Sequence, residues 1–221
     1  MNERWYRVKN WWYYYKWYVI IGIILLFIVI RLIGGAFGLW EKEPDYQIAY
    51  VGKAELPQDT VNVIGNAFAS VSSDFNGDGE IIVHVNQYVI NTSESSETFG
   101  ADVPLIGDID DCDSYFFLMD DPDYFQREYH LLAAPDGGCP DETDYSTEDK
   151  VISWADCSAF SDIEPGTFTD TLLGQEISGD NQDILSGLYI GRRCFYNDET
   201  VPFFEQCDAL WDFLADSTSA S

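Results

Sequence analysis

The stretch WYVIIGIILLFIVI, Trp17 to Ile30, contains no charged residue, and after Arg31 apolarity resumes from Leu32 to Trp40. A helix crossing the hydrocarbon core of a bilayer needs about 20 such residues. Residues 17–40 therefore read as a transmembrane helix with its outer flank, Arg31 lying close enough to the boundary to snorkel. In front stands WWYYYKWY, Trp11 to Tyr18, an aromatic belt of the kind that settles at headgroup depth. Residues 1–16 are basic as well as aromatic: Arg4, Arg7, Lys9 and Lys16 oppose one acid, Glu3. The positive-inside rule holds this tail in the cytosol and places everything beyond Trp40 outside the cell. A cleaved signal peptide is the competing reading, since Val19 to Ile30 has the length of an h-region and Gly34-Gly35-Ala36 would serve as a cleavage site. The aromatic tail and the second apolar stretch suit a retained anchor better, and both readings export the remainder.

Charge separates the two parts of the chain. The whole sequence holds 11 basic and 39 acidic residues; the first forty contain five of the basic ones and one acid, which leaves 6 against 38 beyond Trp40, a net of −32. Such a surface repels nucleic acid and anionic lipid and attracts cations and basic partners, so nucleic-acid binding is set aside. Much of this acidity reads simply as a solvated face, and PDETDYSTED, Pro140 to Asp149, as an exposed connection.

Five cysteines, Cys112, Cys139, Cys157, Cys194 and Cys207, all fall on the exterior side, where disulfides form if the surroundings are oxidising. The odd count leaves at least one unpaired, and spacing does not choose among the many two-bridge arrangements. The shortest loops would join Cys139 to Cys157 and Cys194 to Cys207. No CxxC pair supports a zinc ribbon or a thioredoxin motif.

Residues 41–215 alternate strand and helix signals, with a fraying tail at 216–221. QIAYVG, Gln47 to Gly52, is a short buried strand; Pro57 opens a helix with Val61, Ile64, Phe68 and Val71 at helical spacing up to Ser73. Glu80 to Ile90 reads as a long strand, with Ile81, Val83 and Val85 on one face and Ile82, His84, Asn86 and Tyr88 on the other. A polar loop, a short helix over Ala101 to Asp110, a buried strand SYFFLM at Ser114 to Met119 and a helix from Pro122 to about Leu132 follow. Residues 133–185 show no clean periodicity and read as long loops with one or two short strands. Ser186 to Phe195 is a further strand, and Val201 to Ala215 a helix carrying Phe203, Cys207, Leu210 and Leu214 along one stripe beside Phe204 and Trp211. This order predicts one exterior three-layer α/β domain with a mostly parallel sheet covered on both faces.

The succession YQIAYVG, helix, EIIVHVNQY, helix, then IDDCDSYFFLMDDPDYFQREYHLL resembles the first lobe of the extracellular solute-binding proteins of ABC importers, and LYIGRRCFY with FFEQCDALWDFL is compatible with the same lobe. The resemblance covers about half of the exterior residues. It implies a periplasmic-binding-protein-like lobe and a solute-recognition role. The chain departs from the family in size: members are about twice as long and close two lobes on a ligand, whereas about 180 exterior residues supply one lobe and extra loop. Open α/β sheets expose their crevice at the carboxyl ends of the strands, so a ligand edge is expected near Gly52, Lys53, Asp120 and Asp121. Asp120-Asp121-Pro122 is also a good opening for a helix, with acids favoured at the N-terminus.

SDFNGDGEIIVHV, Ser73 to Val85, has two readings. An EF-hand-like calcium loop wants oxygen ligands at its first, third and fifth positions, glycine at the sixth, a carbonyl at the seventh and an acid at the twelfth. Asp74, Asn76, Asp78, Gly79 and Glu80 satisfy all but the last, where Val85 stands. The alternative is a plain turn, Asn76-Gly77 and Asp78-Gly79 supplying the positive φ angles that end a helix and start a strand. The turn is preferred; calcium, if bound, would clamp a junction crowded with carboxylates.

Catalysis has little support. His84 and His130 are the only histidines, and HExxH, GxSxG and phosphate loops are absent. His84, mid-strand among apolar neighbours, reads as a packed core histidine, and Cys112 with His130 as a thiol pair lacks any motif. Asn91-Thr92-Ser93 matches a glycosylation acceptor. The expectation is a membrane-tethered, non-catalytic exterior module recognising a solute, glycan or protein, or alternatively a structural or adhesive surface domain stabilised by calcium.

Overall fold

The computed structural model describes residues 3–36, 42–90, 103–172 and 175–218. It divides into two units, Met1–Glu43 and Pro44–Ser221. The acceptor Asn91-Thr92-Ser93 and residues 219–221 lie outside the described residues.

The first unit is one helix, α1 (Glu3–Ala36). Within it Trp11–Ile33, 23 residues, is long and apolar enough to cross a membrane. The stretch begins earlier than residue 17 because nothing breaks the helix between the aromatic belt and the aliphatic run: Trp11 and Tyr15 stack with ring centroids 5.8 Å apart on successive turns, and Lys16 lies over the Tyr13 ring. Arg31 reaches back over Phe27.

The second unit is built on a five-stranded sheet. Its strands are β1 (Tyr46–Gly52), β2 (Val83–Val89), β3 (Ser114–Met119), β4 (Val151–Ser153) and β7 (Tyr189–Arg192), in the order β2-β1-β3-β7-β4. β1 pairs in parallel with β2 and β3, while β7 runs antiparallel to both β3 and β4, so four of the five strands point the same way. β1 and β3 are central and buried on both faces, which is why each reads as a continuous apolar run rather than an alternation.

Alternation within the strands divides the interior into two cores. Tyr46, Ile48 and Tyr50 of β1 and Phe116 and Leu118 of β3 face one side. There they meet Ile64 and Phe68 of α2 (Gln58–Val71) and Cys207, Leu210, Trp211 and Leu214 of α6 (Phe204–Thr218). Ala49, Val51, Phe117 and Met119 face the other side, against Leu105 of α3 (Val103–Asp111) and Phe125 of α4 (Pro122–Tyr129). The first core is an aromatic cluster, Phe68 sitting 5.3 Å from Phe116 and 5.2 Å from Phe160, a spacing that suits tilted ring pairs.

Several expectations are corrected. Residues 133–185 hold more order than loops: β4 closes the sheet, two short 3₁₀ turns follow at Trp154–Asp156 and Ser158–Phe160, and a separate antiparallel hairpin forms from β5 (Thr167–Leu172) and β6 (Gln175–Asp180). α5 (Asn181–Leu185) follows, N-capped by Asp180. The third helix of the domain ends at Tyr129 rather than near Leu132, because His130 takes the left-handed cap conformation, φ 55°, with its N–H on Gln126 O. The last helix starts at Phe204, after Phe203 at φ 56°, and runs through Thr218, where a fraying tail was expected. His84 is exposed, not packed, because β2 is an edge strand.

The expected cysteine pairs do not form. All five cysteines are free. Cys157 and Cys207 belong to the first core, Cys139 and Cys194 to the second, so each of the two shortest-loop pairs would have to join opposite faces of the sheet. A disulfide spans only about 4.4–6.8 Å between Cα atoms, which rules out that crossing.

Candidate functional site

The chain leaves β1 through α2, on the first face, to reach β2, and returns through α3, on the second face, to β3 on the other side of β1. The carboxyl ends of β1 and β3 are therefore a topological switch point, where helices depart to opposite faces of the sheet. Gly52 and Lys53 stand at one lip and Asp120 and Asp121 at the other, so the four residues expected at a ligand edge are brought together.

Their geometry is specific. The Lys53 backbone N–H donates to Asp120 Oδ2 at 3.0 Å, and Lys53 Nζ donates to Asp121 Oδ2 at 3.0 Å. Asp121 also caps α4, its Oδ1 accepting the Tyr124 N–H at 3.0 Å, with Pro122 in the first turn where its missing donor costs nothing. The Lys53 ammonium and that N–H hold the Asp121 carboxyl below its usual range, and the same pairing raises Lys53. The helix-opening reading and the ligand-edge reading thus describe the same carboxylates: Asp121 is committed to the cap and the lysine. Asp120 is not fully committed. Its Oδ1 is buried and has no hydrogen-bond partner.

Two neighbours escaped the sequence reading. Tyr50 folds back over Gly52 and donates from its hydroxyl to Ala54 O at 3.0 Å. Its phenol is pushed up to about 12, first by burial and then by the Asp120 charge. A Cβ on Gly52 would stand 2.0 Å from Tyr50 Oη, so the close approach of the ring requires glycine. On the far side Gln87 Oε1 accepts the Leu56 N–H at 2.7 Å and fixes the loop leaving the lip. Neither role leaves a local signature, because each partner is set by the fold.

The acidic loop is organised as a turn. Asp74 Oδ1 accepts N–H groups of Gly77 at 2.6 Å and Asp78 at 3.2 Å, and Oδ2 accepts that of Gly79 at 2.8 Å. Asn76 Oδ1 takes the Asp78 N–H and Asp78 Oδ1 the Glu80 N–H, both at 2.9 Å. Gly77 and Gly79 have φ of 76° and 90°. Among the described residues no group of three His, Cys, Asp or Glu side chains is placed to hold a metal ion. The residue that secures the loop is one the sequence did not flag: Asp45, 1% exposed, whose Oδ1 accepts from Phe75 and Asn76 and whose Oδ2 accepts from Ile82.

The cations of this unit are engaged by its own acids and carbonyls. Lys150, buried, pairs with Asp144 at 2.7 Å; Arg192 pairs with Asp208 at 2.8 Å and lies over Trp211. Arg193 donates to the carbonyls of Asp108 and Ile109, and Arg127 pairs with Glu128. With its positive charges engaged in this way, the domain presents a negative surface. His130 lies between Tyr145 and Tyr196, its Nε2 on Asp144 O at 3.1 Å, and Cys112 occupies the left-handed turn between α3 and β3; no contact joins the two among the described residues. A groove of about 610 Å³ runs between α2 and the edge strand β2 and reaches Gln87, and another of about 330 Å³ lies beside Trp154 and Phe160.

Comparison with protein-family models, curated proteins and solved structures finds no match.

Proposed function

We propose that this chain is a single-pass, membrane-anchored module whose acidic α/β domain faces the cell exterior and recognises a solute, glycan or protein there without catalysis. The observation that carries the reading is Asp120 Oδ1, a buried carboxylate oxygen left without a donor at the switch point. A buried acceptor of this kind costs free energy unless something donates to it. A ligand bearing an ammonium, amide or hydroxyl group supplies that donor, and the net charge of −32 beyond Trp40 draws cationic ligands towards it. The resemblance to a solute-binding lobe supports the same edge, Gly52, Lys53, Asp120 and Asp121. In this proposal residues 17–40 lie in the bilayer and the basic tail on the cytosolic side.

A second reading, a structural or adhesive surface domain stabilised by calcium, has in its favour the oxygen spacing of Asp74, Asn76, Asp78 and Glu80. Full-length protein in detergent, screened by thermal shift and equilibrium dialysis against amino acids, polyamines, oligosaccharides and calcium, separates the two. Saturable binding of a donor-bearing solute, weakened about 10- to 100-fold by Asp120→Asn as the loss of a charge-assisted hydrogen bond requires, supports the first. Binding insensitive to Asp120→Asn overturns the proposed edge, and a shift with calcium alone, reversed by chelator and lost in Asp74→Asn, supports the second.

A further inference from the structure

Cys139 and Cys194 are far apart in sequence, yet the backbone brings them to one place. Leu131 to Ala133 lie antiparallel to Arg192–Cys194: the Ala133 N–H donates to Arg192 O at 2.9 Å, the Cys194 N–H to Leu131 O at 2.8 Å, and Leu132 bridges Arg193. The chain then reverses in a tight turn, with the Gly137 N–H on Ala134 O and the Ala134 N–H on Gly138 O, both at 2.8 Å. Gly137 takes φ 84°, and Arg192 Nη2 donates to the carbonyls of Ala134 and Pro135, holding the turn against β7. Cys139, the next residue, is thereby returned to the second core, where Cys194 is buried. Cys139 packs against the same buried cluster that holds Cys194, whose thiol donates to His130 O at 3.9 Å.

We propose that Cys139 and Cys194 are a dithiol that closes to one intramolecular disulfide on meeting a small-molecule disulfide oxidant at the cell exterior. The roles follow from exposure. Cys139 is half-buried and reachable, Cys194 is 1% exposed, and burial, followed by the neighbouring Cys139, pushes the Cys194 thiol up to about 12. Cys139, as the thiolate, attacks one sulfur of the oxidant, forming a mixed disulfide and releasing one small thiolate. Cys194 Sγ then attacks Cys139 Sγ, loses its proton to the departing group and expels the second small thiol. Two protein thiols become one disulfide while one disulfide of the oxidant becomes two thiols, so electrons and protons balance. The other cysteines are placed outside this exchange: Cys157 and Cys207 lie in the opposite core and Cys112 in the turn after α3. The closed form would tie the turn at 134–138 covalently to the end of β7, a cross-link independent of what the domain binds.

The test is peptide mapping of full-length protein in detergent, equilibrated with mixtures of reduced and oxidised glutathione, acid-quenched and digested without reductant. The expected product is a Cys139–Cys194 cross-link, with loss of two hydrogens, reversed by dithiothreitol. It should persist in Cys207→Ser and Cys157→Ser and disappear in Cys139→Ser and Cys194→Ser. The wild-type map decides even if a variant fails to fold. Glutathione persisting on Cys139 with Cys194 reduced, a cross-link through any other cysteine, or no reaction under conditions that oxidise a control dithiol would each overturn the assignment.

Discussion

Asp45 is a site where a single substitution should cost the acidic domain heavily. Its carboxylate accepts three backbone N–H groups, from Phe75 at 2.6 Å, Asn76 at 3.1 Å and Ile82 at 2.7 Å, while its own N–H donates to Ile82 O at 2.8 Å. The side chain therefore pins both ends of the acidic loop to the start of β1. Asp45→Ala removes one charged acceptor and strands three donors. A hydrogen bond to a charged group contributes about 1.5–3 kcal/mol, and a stranded donor costs about 1–3 kcal/mol where water cannot reach it. Because Phe75, Asn76 and Ile82 are only half-buried, water recovers part of this, and the net expectation is about 3–5 kcal/mol. For a domain of this size that corresponds to a fall of about 10 °C in Tm. Asp45→Asn keeps one acceptor and should lose about half as much. Thermal and urea unfolding of full-length protein measure both, and limited proteolysis should show new cleavage between Asp74 and Glu80 in the alanine variant. A loss below about 1 kcal/mol, or an unchanged cleavage pattern, would refute the argument that this carboxylate organises the loop.

Two further outcomes follow from the switch point. Gly52→Ala places a methyl against the Tyr50 ring, where an added Cβ meets Oη at 2.0 Å. It should destabilise by about 1–3 kcal/mol in urea unfolding, and Tyr50→Phe in the same background should not restore stability, because the ring itself is in the way. Asp121 tests the pH dependence: its folded carboxyl is held below the unfolded value of about 3.9. Its contribution is therefore present above that value and lost as pH falls through the lower, folded one. Asp121→Asn keeps a good helix cap, so the stability difference between wild type and variant should be small at neutral pH, where solvent screens the pair, and should shrink as pH falls below the unfolded value of about 3.9. A difference that grows in acid would contradict the assignment.

What the sequence disclosed depended on burial. β1 and β3 were legible because both faces are covered, so QIAYVG and SYFFLM stand out as unbroken apolar runs. β4 was not, since three residues carry no period, and the β5–β6 hairpin was not, since it is largely solvent-exposed and has little apolar face to alternate. Nor did the pattern specify that β7 runs against its neighbours, because periodicity fixes a strand's faces and leaves its direction open. At the candidate site Lys53, Asp120 and Asp121 could be found because they terminate recognisable strands. Tyr50, Gln87 and Asp45 could not, their partners being chosen by tertiary packing. His84 misled because an edge strand looks like a buried one when its neighbours are Ile81, Val83 and Val85. The cysteines misled because the shortest loop is a rule about chain entropy, and the sheet that separates the two cores overrides it.

The proposed role requires the acidic domain to lie on the outer side of the membrane. Protease added to intact cells expressing the full chain, followed by detection of tags at both termini, addresses it directly. The C-terminal tag should be lost while a membrane-embedded fragment retaining the N-terminal tag survives. Protection of the C-terminal tag until the cells are permeabilised, with a control surface protein fully digested, would contradict it.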